Sequence, residues 1–332
     1  MNNNFLNINS EEKRRNNFFS DLFKGNNTFI SIILLALVLF ALFSFFVPDF
    51  FSVRNLINLS RRSSVDIIIA IGMTLVLLCG EIDLSLPGII SFVAMVTALM
   101  LKAGIPIIIC IIAALAMGVT IGFLNGLLAI KIPSFIGTLA ILSITRGMSL
   151  YFTNGSAVHA FPEKFLLIDR FTIFHIPITW VYAVVILIVA LIITRYSVFG
   201  RQIYALGGNR NAARSSGVPI STRIIQTFMI MGFLGALGSI ALMAKVDAAT
   251  PLMSQDASLN AIAAVVIGGT SITGGKGHVI GSAAGALIIT MLSNVFTLMS
   301  FPASLQQVIL GAILIAVILV DYFRASSSGK II

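Results

Sequence analysis

The chain has 332 residues, 58% of them hydrophobic and 10% charged, with a mean hydropathy of +1.04 and a formal net charge of +9. Soluble domains carry about a quarter charged residues, so this composition excludes an ordinary soluble domain and predicts an all-α integral membrane protein. The positive charge does not indicate nucleic acid as a partner, because the basic residues lie between apolar runs, where they act as topology signals.

The cysteines and histidines form no pattern for metal or redox chemistry. Cys79 and Cys110 both lie inside apolar runs, and His159, His175 and His278 are scattered along the chain. The sequence contains no motif that pairs a catalytic nucleophile with its base and none that binds zinc. It therefore predicts no metal, no cofactor and no enzymatic activity.

Residues 1–28 are polar and rich in asparagine, and we interpret them as a cytoplasmic tail. The apolar run that follows is close to the roughly 20 residues that cross a bilayer, is longer than a signal-peptide core and precedes no cleavage site. It is therefore the first span of a transmembrane domain at 29–322, which a cytoplasmic tail at 323–332 follows. About ten transmembrane helices are predicted: 29–47, 65–80, 86–101, 105–130, 134–153, 178–194, 224–244, 258–272, 279–299 and 304–322.

An even number of spans puts both termini on one side of the membrane, and the basic residues indicate which side. With the termini inside, thirteen lysine and arginine residues fall on the inner side and seven on the outer side, while Arg146 falls inside a span. Since positive residues concentrate in cytoplasmic loops, both termini are predicted to be cytoplasmic. The outer pair Arg61 and Arg62 opposes this orientation.

Residues 80–85, here called the first break, interrupt an apolar stretch with the carboxylates of Glu81 and Asp83. Ionisable groups at membrane depth usually line a polar cavity or path. Asp83 and Ser85 are therefore predicted to line the substrate path. The alternative for Asp83 is that it caps the next helix by accepting amide hydrogens of the first turn, with Pro87 tolerated near that start. Glu81 is expected to face water at the cytoplasmic edge.

Two asparagine–proline intervals indicate internal symmetry. Asn125 precedes Pro133 by eight residues, and Asn294 precedes Pro302 by the same interval, each at a junction between apolar segments. The predicted span order puts these junctions on opposite sides, which is the pattern of an inverted repeat in a transporter, although two such anchors also arise by chance. Asn125 is predicted to line the substrate path; the alternative is a hydrogen bond between helices.

The middle of the chain leaves two alternatives open. Arg146, inside a predicted span, either snorkels to the membrane edge or pairs with a carboxylate. The polar stretch 153–176 is predicted to lie outside, where it either meets a periplasmic partner or is a simple external loop.

Residues 195–223, here called the coupling loop, are polar, basic and rich in glycine, and contain no acidic residue. A basic loop between apolar segments is held on the cytoplasmic side. It is either a simple connector or a docking element for a cytoplasmic protein. The residues predicted to form the dock are Arg201, Gly207, Gly208, Asn209, Ala212, Ala213 and Gly217.

Residues 268–275, here called the second break, are predicted to be an unwound segment that exposes backbone amides and carbonyls to a polar solute. Close helix packing by small residues is the alternative. Thr270 in this segment and Asn260 before it are predicted to line the substrate path. The segment also looks like a nucleotide-binding P-loop, but Thr270 and Gly277 stand where such a loop needs glycine and a hydroxyl residue.

Four segments in order resemble the ribose-type permeases of bacterial ATP-binding-cassette importers. Residues 72–85 are similar to the family's GMT-x5-GGIDLS stretch, and 125–139 to its NGL…IPPFIVTL segment. Residues 199–217 resemble its FGR…AIGGN…SG loop, and 261–277, AIAAVVIGGTSITGGKG, resemble its most specific signature. The resemblance runs from about 51 to 321.

The resemblance implies a permease for ribose, related pentoses and hexoses, or autoinducer-2, in the bacterial cytoplasmic (inner) membrane. It implies as partners a second permease copy, identical or related, a cytoplasmic ATPase that hydrolyses the ATP, and a periplasmic sugar-binding protein, beside the membrane lipid. Glu81 stands where the family usually has glycine, and Pro87 stands near another usual glycine. Both departures fall at the first break and leave the substrate open.

The function expected from these features is import of a monosaccharide, with a ribose-like pentose as the leading substrate. One alternative is an ion- or proton-coupled secondary transporter, which needs a buried titratable pair, for which Asp83 and Arg146 are the candidates. The other is an importer permease for branched-chain amino acids or autoinducer-2.

Overall fold

The computed structural model describes residues 28–174 and 176–327. The predicted N-terminal tail lies outside these residues except for Thr28, as do His175 and residues 328–332 of the predicted C-terminal tail. Within the described residues there are thirteen helices: α1 Thr28–Phe46, α2 Val53–Leu78, α3 Leu86–Lys102, α4 Ile107–Lys131, α5 Ser134–Thr153, α6 Glu163–Arg170, α7 Ile178–Tyr196, α8 Val198–Gly208, α9 Arg210–Ser215, α10 Ile220–Val246, α11 Ala257–Ile267, α12 Val279–Leu298 and α13 Ala303–Ser327. Four two-residue strands form two antiparallel pairs: β1 Val158–His159 with β4 Ala248–Ala249, and β2 Thr172–Ile173 with β3 Ile176–Pro177.

Each of the ten predicted spans contains one helix, which supports the all-α membrane architecture. Five helices, α4, α5, α7, α10 and α12, are long and apolar enough to cross a membrane, and α1, α3, α11 and α13 contain shorter apolar stretches. The remaining predicted span corresponds to α2, which is 26 residues long but has a polar first half because of Arg61, Arg62 and Asp66. The number of helices that cross the whole bilayer and the side of the termini stay predictions.

Two helices differ in extent from the predicted spans to which they correspond. Helix α2 begins at Val53 rather than at 65, because the hydroxyl oxygen of Ser52 caps its first turn by accepting the amide hydrogen of Asn55 (3.3 Å). Helix α11 ends at Ile267 rather than at 272, because Gly269 adopts a left-handed conformation (φ 83°) that closes the helix.

Contacts between connecting segments define two ends of the helix bundle. The junction end holds both breaks and the coupling loop: the amide of Ile82 donates to Ser134 Oγ (3.1 Å), and the hydroxyl of Tyr204 donates to the carbonyl of Gly277 (2.9 Å). Burial raises the pKa of Tyr204, so its phenol stays protonated and remains a donor. The predicted orientation places this end in the cytoplasm.

The loop end lies at the other extremity of the bundle. Here β1 pairs with β4, and the amide of Phe161 donates to the carboxylate of Asp247 (2.9 Å). The guanidinium of Arg61 lies 3.6 Å from the carboxylate of Asp169 in α6. Arg61, which opposed the predicted orientation in the charge count, therefore has a carboxylate partner at the loop end.

The two asparagine–proline junctions lie at opposite ends of the bundle. Pro133 precedes α5 at the junction end, whereas Pro302 precedes α13 at the loop end, beside Asn294, which exchanges hydrogen bonds with Asn55 (2.8 and 3.0 Å). This is the placement expected from an inverted repeat. The repeat itself stays a prediction.

The core of the bundle lies along α2, α10 and α12. The most apolar windows of α10 and α12 are 72% and 78% buried, whereas those of α4, α5 and α7 are 22–28% buried. The peripheral helices therefore present most of their apolar surface outward, as helices in contact with lipid do.

A seam of glycines joins α4 to α10. A Cβ atom on Gly122 would lie 2.2 Å from the carbonyl oxygen of Phe228, and one on Gly118 would lie 2.3 Å from that of Gly232. Glycines four residues apart form one stripe on a helix and allow two backbones to approach closely in a membrane. The glycine spacing of α4 is visible in the sequence and is the signal for this seam, which the sequence analysis did not use.

Candidate functional site

The first break begins with a glycine cap at the end of α2. Gly80, at φ 75°, donates its amide hydrogen to Leu77 O (2.8 Å), and Glu81 donates to Val76 O (3.2 Å). This Schellman pair satisfies carbonyls that the helix end would leave unpaired. The backbone is therefore no longer helical when it reaches Asp83.

Two hydroxyl groups on α5 hold the first break in place. Ser134 Oγ accepts the amide hydrogen of Ile82 (3.1 Å), and Thr138 Oγ1 accepts that of Leu84 (3.0 Å). Residues four apart lie on one face of a helix, so α5 presents both acceptors to the same extended segment. The sequence analysis missed both residues, although their spacing on one helix face was the available signal.

Three of the predicted path residues meet in one buried cluster. Asp83 is fully buried, and its Oδ1 accepts hydrogen bonds from the amide (2.8 Å) and the hydroxyl (2.6 Å) of Ser85. The side-chain amide of Asn125 donates to Ser85 Oγ (2.6 Å). Since α3 begins at Leu86 with Ser85 as its N-cap, Asp83 orders the residue before the helix and does not cap the amides of the first turn.

This cluster leaves two buried acceptors without a donor. Among the described residues, neither Asp83 Oδ2 nor Asn125 Oδ1 has a hydrogen-bond partner. An unmet acceptor in a buried site is costly, and water or the hydroxyl of a solute can satisfy it. The cluster of Asp83, Ser85 and Asn125 is therefore suited chemically to a hydroxyl donor.

The other two predicted path residues lie apart from this cluster. Thr270 is buried in the second break, where its hydroxyl lies 3.2 Å from Ser282 Oγ. Asn260 lines a cavity at the loop end together with Asp66 of α2. Asp66 is twelve residues from the end of α2, about 18 Å along the helix axis, and the first break lies beyond that end.

Glycines bring α8 into direct backbone contact with both breaks. A Cβ atom on Gly207 would lie 2.0 Å from Leu78 O and 2.5 Å from the amide nitrogen of Gly275, and that nitrogen donates to Leu78 O (3.1 Å). One on Gly274 would lie 2.8 Å from Gly80 Cα. We call this contact the glycine junction. Three segments far apart in the sequence meet there without side chains between them.

An ion pair adds a second connection between the coupling loop and the first break. The carboxylate of Glu81 pairs with the guanidinium of Arg210 in α9, and the two side chains are 7% and 47% exposed. The expectation that Glu81 faces water was therefore wrong, because Arg210 covers it. This connection uses Glu81, one of the two residues at which the chain departs from the resembling family.

The coupling loop folds into α8 and α9, and several predicted docking residues have structural roles within it. Asn209 is the N-cap of α9, since its Oδ1 accepts the amide hydrogen of Ala212 (3.0 Å). Gly217 ends α9 at φ 77°. Ala213 is buried and Gly207 lies in the glycine junction, whereas the remaining predicted docking residues are exposed: Arg201, Gly208, Asn209, Ala212 and Gly217.

A cavity of about 370 Å³ opens at the loop end between α2, α10, α11 and α12. Its polar wall includes charged side chains of both signs, Arg62 and Lys245 against Asp66 and Asp256. Asp66 is fixed by Thr290, whose hydroxyl donates to Asp66 Oδ2 (2.7 Å). Of its polar residues, only Asn260 was predicted to line the substrate path.

No Asp83–Arg146 ion pair forms in the described residues: Arg146 is half-buried in α5 and lies in no ion pair there. The hydrogen bonds within the Asp83 cluster come instead from the amide and hydroxyl of Ser85 and from the side-chain amide of Asn125. The described residues contain no group of three or more metal-binding side chains.

The chain matches, over residues 55–318, the family described as the permease component of a branched-chain amino acid transport system. It is 36% identical to the ribose import permease protein of Escherichia coli strain K12 over 292 residues, 86% of this chain and 91% of that protein. It is 31% identical to the ribose import permease protein of Bacillus subtilis strain 168 over 318 residues, 95% of this chain and 97% of that protein.

The autoinducer 2 import system permease protein of Photorhabdus luminescens is 32% identical over 299 residues, 89% of this chain and 90% of that protein. No solved structure matches the chain significantly. The matches extend over nearly the whole of each relative and include both breaks and the coupling loop. The chain is therefore a member of the ribose-type permease family of bacterial ATP-binding-cassette importers, and a multi-pass protein of the inner membrane.

Proposed function

We propose that this chain carries a monosaccharide, with a ribose-like pentose as the leading substrate, across the inner membrane into the cytoplasm. The names of its relatives support a sugar, since two of them are ribose import permeases. In this proposal a separate ATPase supplies the energy, a periplasmic binding protein delivers the sugar, and a second permease copy, identical or related, completes the path. The chain itself is a transport subunit and not an enzyme.

The glycine junction is the observation that carries the coupling part of this proposal. An ATPase that docks on the exposed residues Arg201 and Ala212 and then closes displaces α8 and α9. Because Gly207 lies against Leu78 and Gly275, the displacement reaches both breaks through backbone contacts. The first break in turn positions Asp83.

The buried cluster supplies the chemistry for the solute. Asp83 Oδ2 and Asn125 Oδ1 are acceptors that hydroxyl groups of a sugar can fill, while Ser85 holds the two side chains together. Weak binding suffices here, because recognition is the task of the binding protein. The cluster offers each hydroxyl a hydrogen bond in place of water as the sugar passes.

The test is uptake of labelled ribose into vesicles that hold this chain, with and without a candidate ATPase and a candidate binding protein. ATP-dependent accumulation that needs both partners is the expected result. Accumulation by this chain alone, driven by a proton gradient, would instead indicate a secondary transporter. The bonding of Asp83 to Ser85, rather than to Arg146, favours the importer.

Competition then identifies the substrate. Unlabelled ribose is expected to displace the label more effectively than other pentoses and hexoses do. Stronger displacement by autoinducer-2 would move the assignment to that solute, which the name of one relative supports. Displacement by leucine, with no displacement by any sugar, would assign the chain to branched-chain amino acids.

A further inference from the structure

The cavity at the loop end contains polar groups that make few direct contacts with the protein. Thr290 donates to Asp66 Oδ2, whereas Asp66 Oδ1, the ammonium of Lys245 and the side-chain amide of Asn260 form no direct hydrogen bond or ion pair among the described residues. Lys245 interacts with Asp66 and Asp169 only through longer-range electrostatics. The side chains of Asp66, Lys245 and Asn260 are half-buried. Ionisable groups within a membrane protein are costly unless they line a water-filled cavity or a path. The presence of Asp66 and Lys245 in the wall of one cavity therefore calls for a functional explanation.

The charges of the cavity wall indicate a ligand without net charge. Two cations, Arg62 and Lys245, face two carboxylates, Asp66 and Asp256. Because the wall carries no excess of either sign, it attracts neither an anion nor a cation over long range. A neutral solute with several hydroxyl groups satisfies both the donors and the acceptors, since a hydroxyl group both donates and accepts.

The rest of the wall fits a monosaccharide in size and polarity. The neutral hydrogen-bonding side chains of the wall are Ser254, Gln255, Asn260 and Ser293. Its apolar side chains include Val65, Ile69, Leu242 and Ile289. A volume of about 370 Å³ lies in the range of small-molecule sites, and apolar side chains suit the C–H face of a sugar ring.

We propose that this cavity is a binding site for a neutral polyhydroxylated solute of monosaccharide size, occupied at the loop end before the solute reaches Asp83. Asp66, Lys245 and Asn260 hydrogen-bond to the hydroxyl groups, and Thr290 positions Asp66. The proposal rests on the proposed function, because it names the first site of the same path. Asn260, which lies apart from the Asp83 cluster, thereby acts at a different point of the path.

Labelling of a single cysteine tests occupancy directly. Val246 lines the rim and is 53% exposed, so Val246→Cys, made together with Cys79→Ser and Cys110→Ser, gives one accessible thiol at the cavity. In vesicles that hold the complete importer, D-ribose is expected to slow modification of this thiol by a methanethiosulfonate reagent. The matched control is Ser221→Cys in the same background, an exposed position at the junction end where ribose should change nothing.

Uptake kinetics provide the second measurement. Asp66→Asn keeps an acceptor for Thr290 and removes only the charge, and Lys245→Met removes the ammonium. Each is expected to lower ribose uptake at low sugar concentration by about tenfold or more, as for loss of a hydrogen bond to a charged group. The controls are Asp49→Asn and Lys102→Met, exposed charges of the same types outside the cavity wall, which should leave uptake unchanged.

The outcomes separate this proposal from the function on which it rests. Uptake of ribose by the wild type, with normal uptake by both cavity variants and no protection of Val246→Cys, would overturn the cavity site and leave the importer in place. Protection by leucine and not by ribose would overturn the sugar as ligand. No uptake and no protection by any sugar would overturn both proposals.

Discussion

Gly207 provides the sharpest test of the glycine junction, because its neighbour Gly208 is a matched control. In Gly207→Ala, the new Cβ would lie 2.0 Å from Leu78 O, which is 1.4 Å short of the 3.4 Å at which ordinary contact begins. It would also displace the amide of Gly275, whose hydrogen bond to Leu78 O is then lost. In Gly208→Ala, the Cβ would meet no atom within 4 Å.

The cost of Gly207→Ala follows from these contacts. Overpacking costs about 1–3 kcal/mol, and the lost hydrogen bond costs about 0.5–1.5 kcal/mol. Alanine offsets about 0.5–1 kcal/mol of this cost, because it loses less backbone entropy than glycine when the helix forms. We therefore expect the free energy of unfolding to fall by about 0.5–4 kcal/mol in Gly207→Ala, and to stay unchanged or rise slightly in Gly208→Ala.

Thermal unfolding of both variants in the same detergent measures this difference. Gly207→Ala is expected to melt below the wild type, while Gly208→Ala melts at or above it. The ratio of ATP hydrolysed to sugar imported is the second readout, and it should rise in Gly207→Ala. Gly208 belongs to the predicted dock, so Gly208→Ala is the control for the melting temperature alone. Equal melting temperatures for the two variants would refute the close contact between α8 and the breaks.

Three further predictions concern the coupling loop and the helix seam. Glu81→Gln removes the charge that Arg210 neutralises, so fewer sugars should enter per ATP hydrolysed; an unchanged ratio would mean that this ion pair plays no part in coupling. Asn209→Ala removes the N-cap of α9 and should cost about 1 kcal/mol, seen as faster hydrogen exchange in α9, whereas an alanine at the neighbouring Asn211 should leave exchange as it is. Gly122→Ala places a Cβ 2.2 Å from a carbonyl of α10 and should lower the melting temperature; if Gly147→Ala, which meets nothing within 4 Å, lowers it equally, the seam is not the cause.

The sequence was a good guide to features that depend on local chemistry. Hydropathy is a property of a short window, so it predicted a helix in each of the ten segments. Glycine at a helix end is also a local signal, and both breaks were predicted where Gly80 and Gly269 close α2 and α11. Of the five residues assigned to the substrate path, Asp83, Ser85 and Asn125 lie together, whereas Asn260 and Thr270 lie apart from them, and the path itself stays a prediction.

Contacts between residues far apart in the sequence could not be predicted from local patterns. Glu81 is buried because Arg210 covers it from 129 positions away, and nothing near Glu81 in the sequence indicates that partner. The glycine junction likewise brings together three segments whose small residues look alike whether they pack or lie free. A local signal did exist for the cavity: Arg62 and Asp66 are four residues apart in α2, which puts both on one face of the helix, just before its apolar second half.

The glycine junction also has a mechanical consequence. Side chains at an interface can absorb a small movement of one element by changing rotamers, so that the neighbouring element does not move. Gly207, Gly274 and Gly80 have no such torsions, and a Cβ atom on Gly207 or Gly274 would lie within 3 Å of a neighbouring backbone atom. We therefore expect a shift of α8 to move the end of α2 and the second break directly, because no side chains lie between these backbones to absorb it.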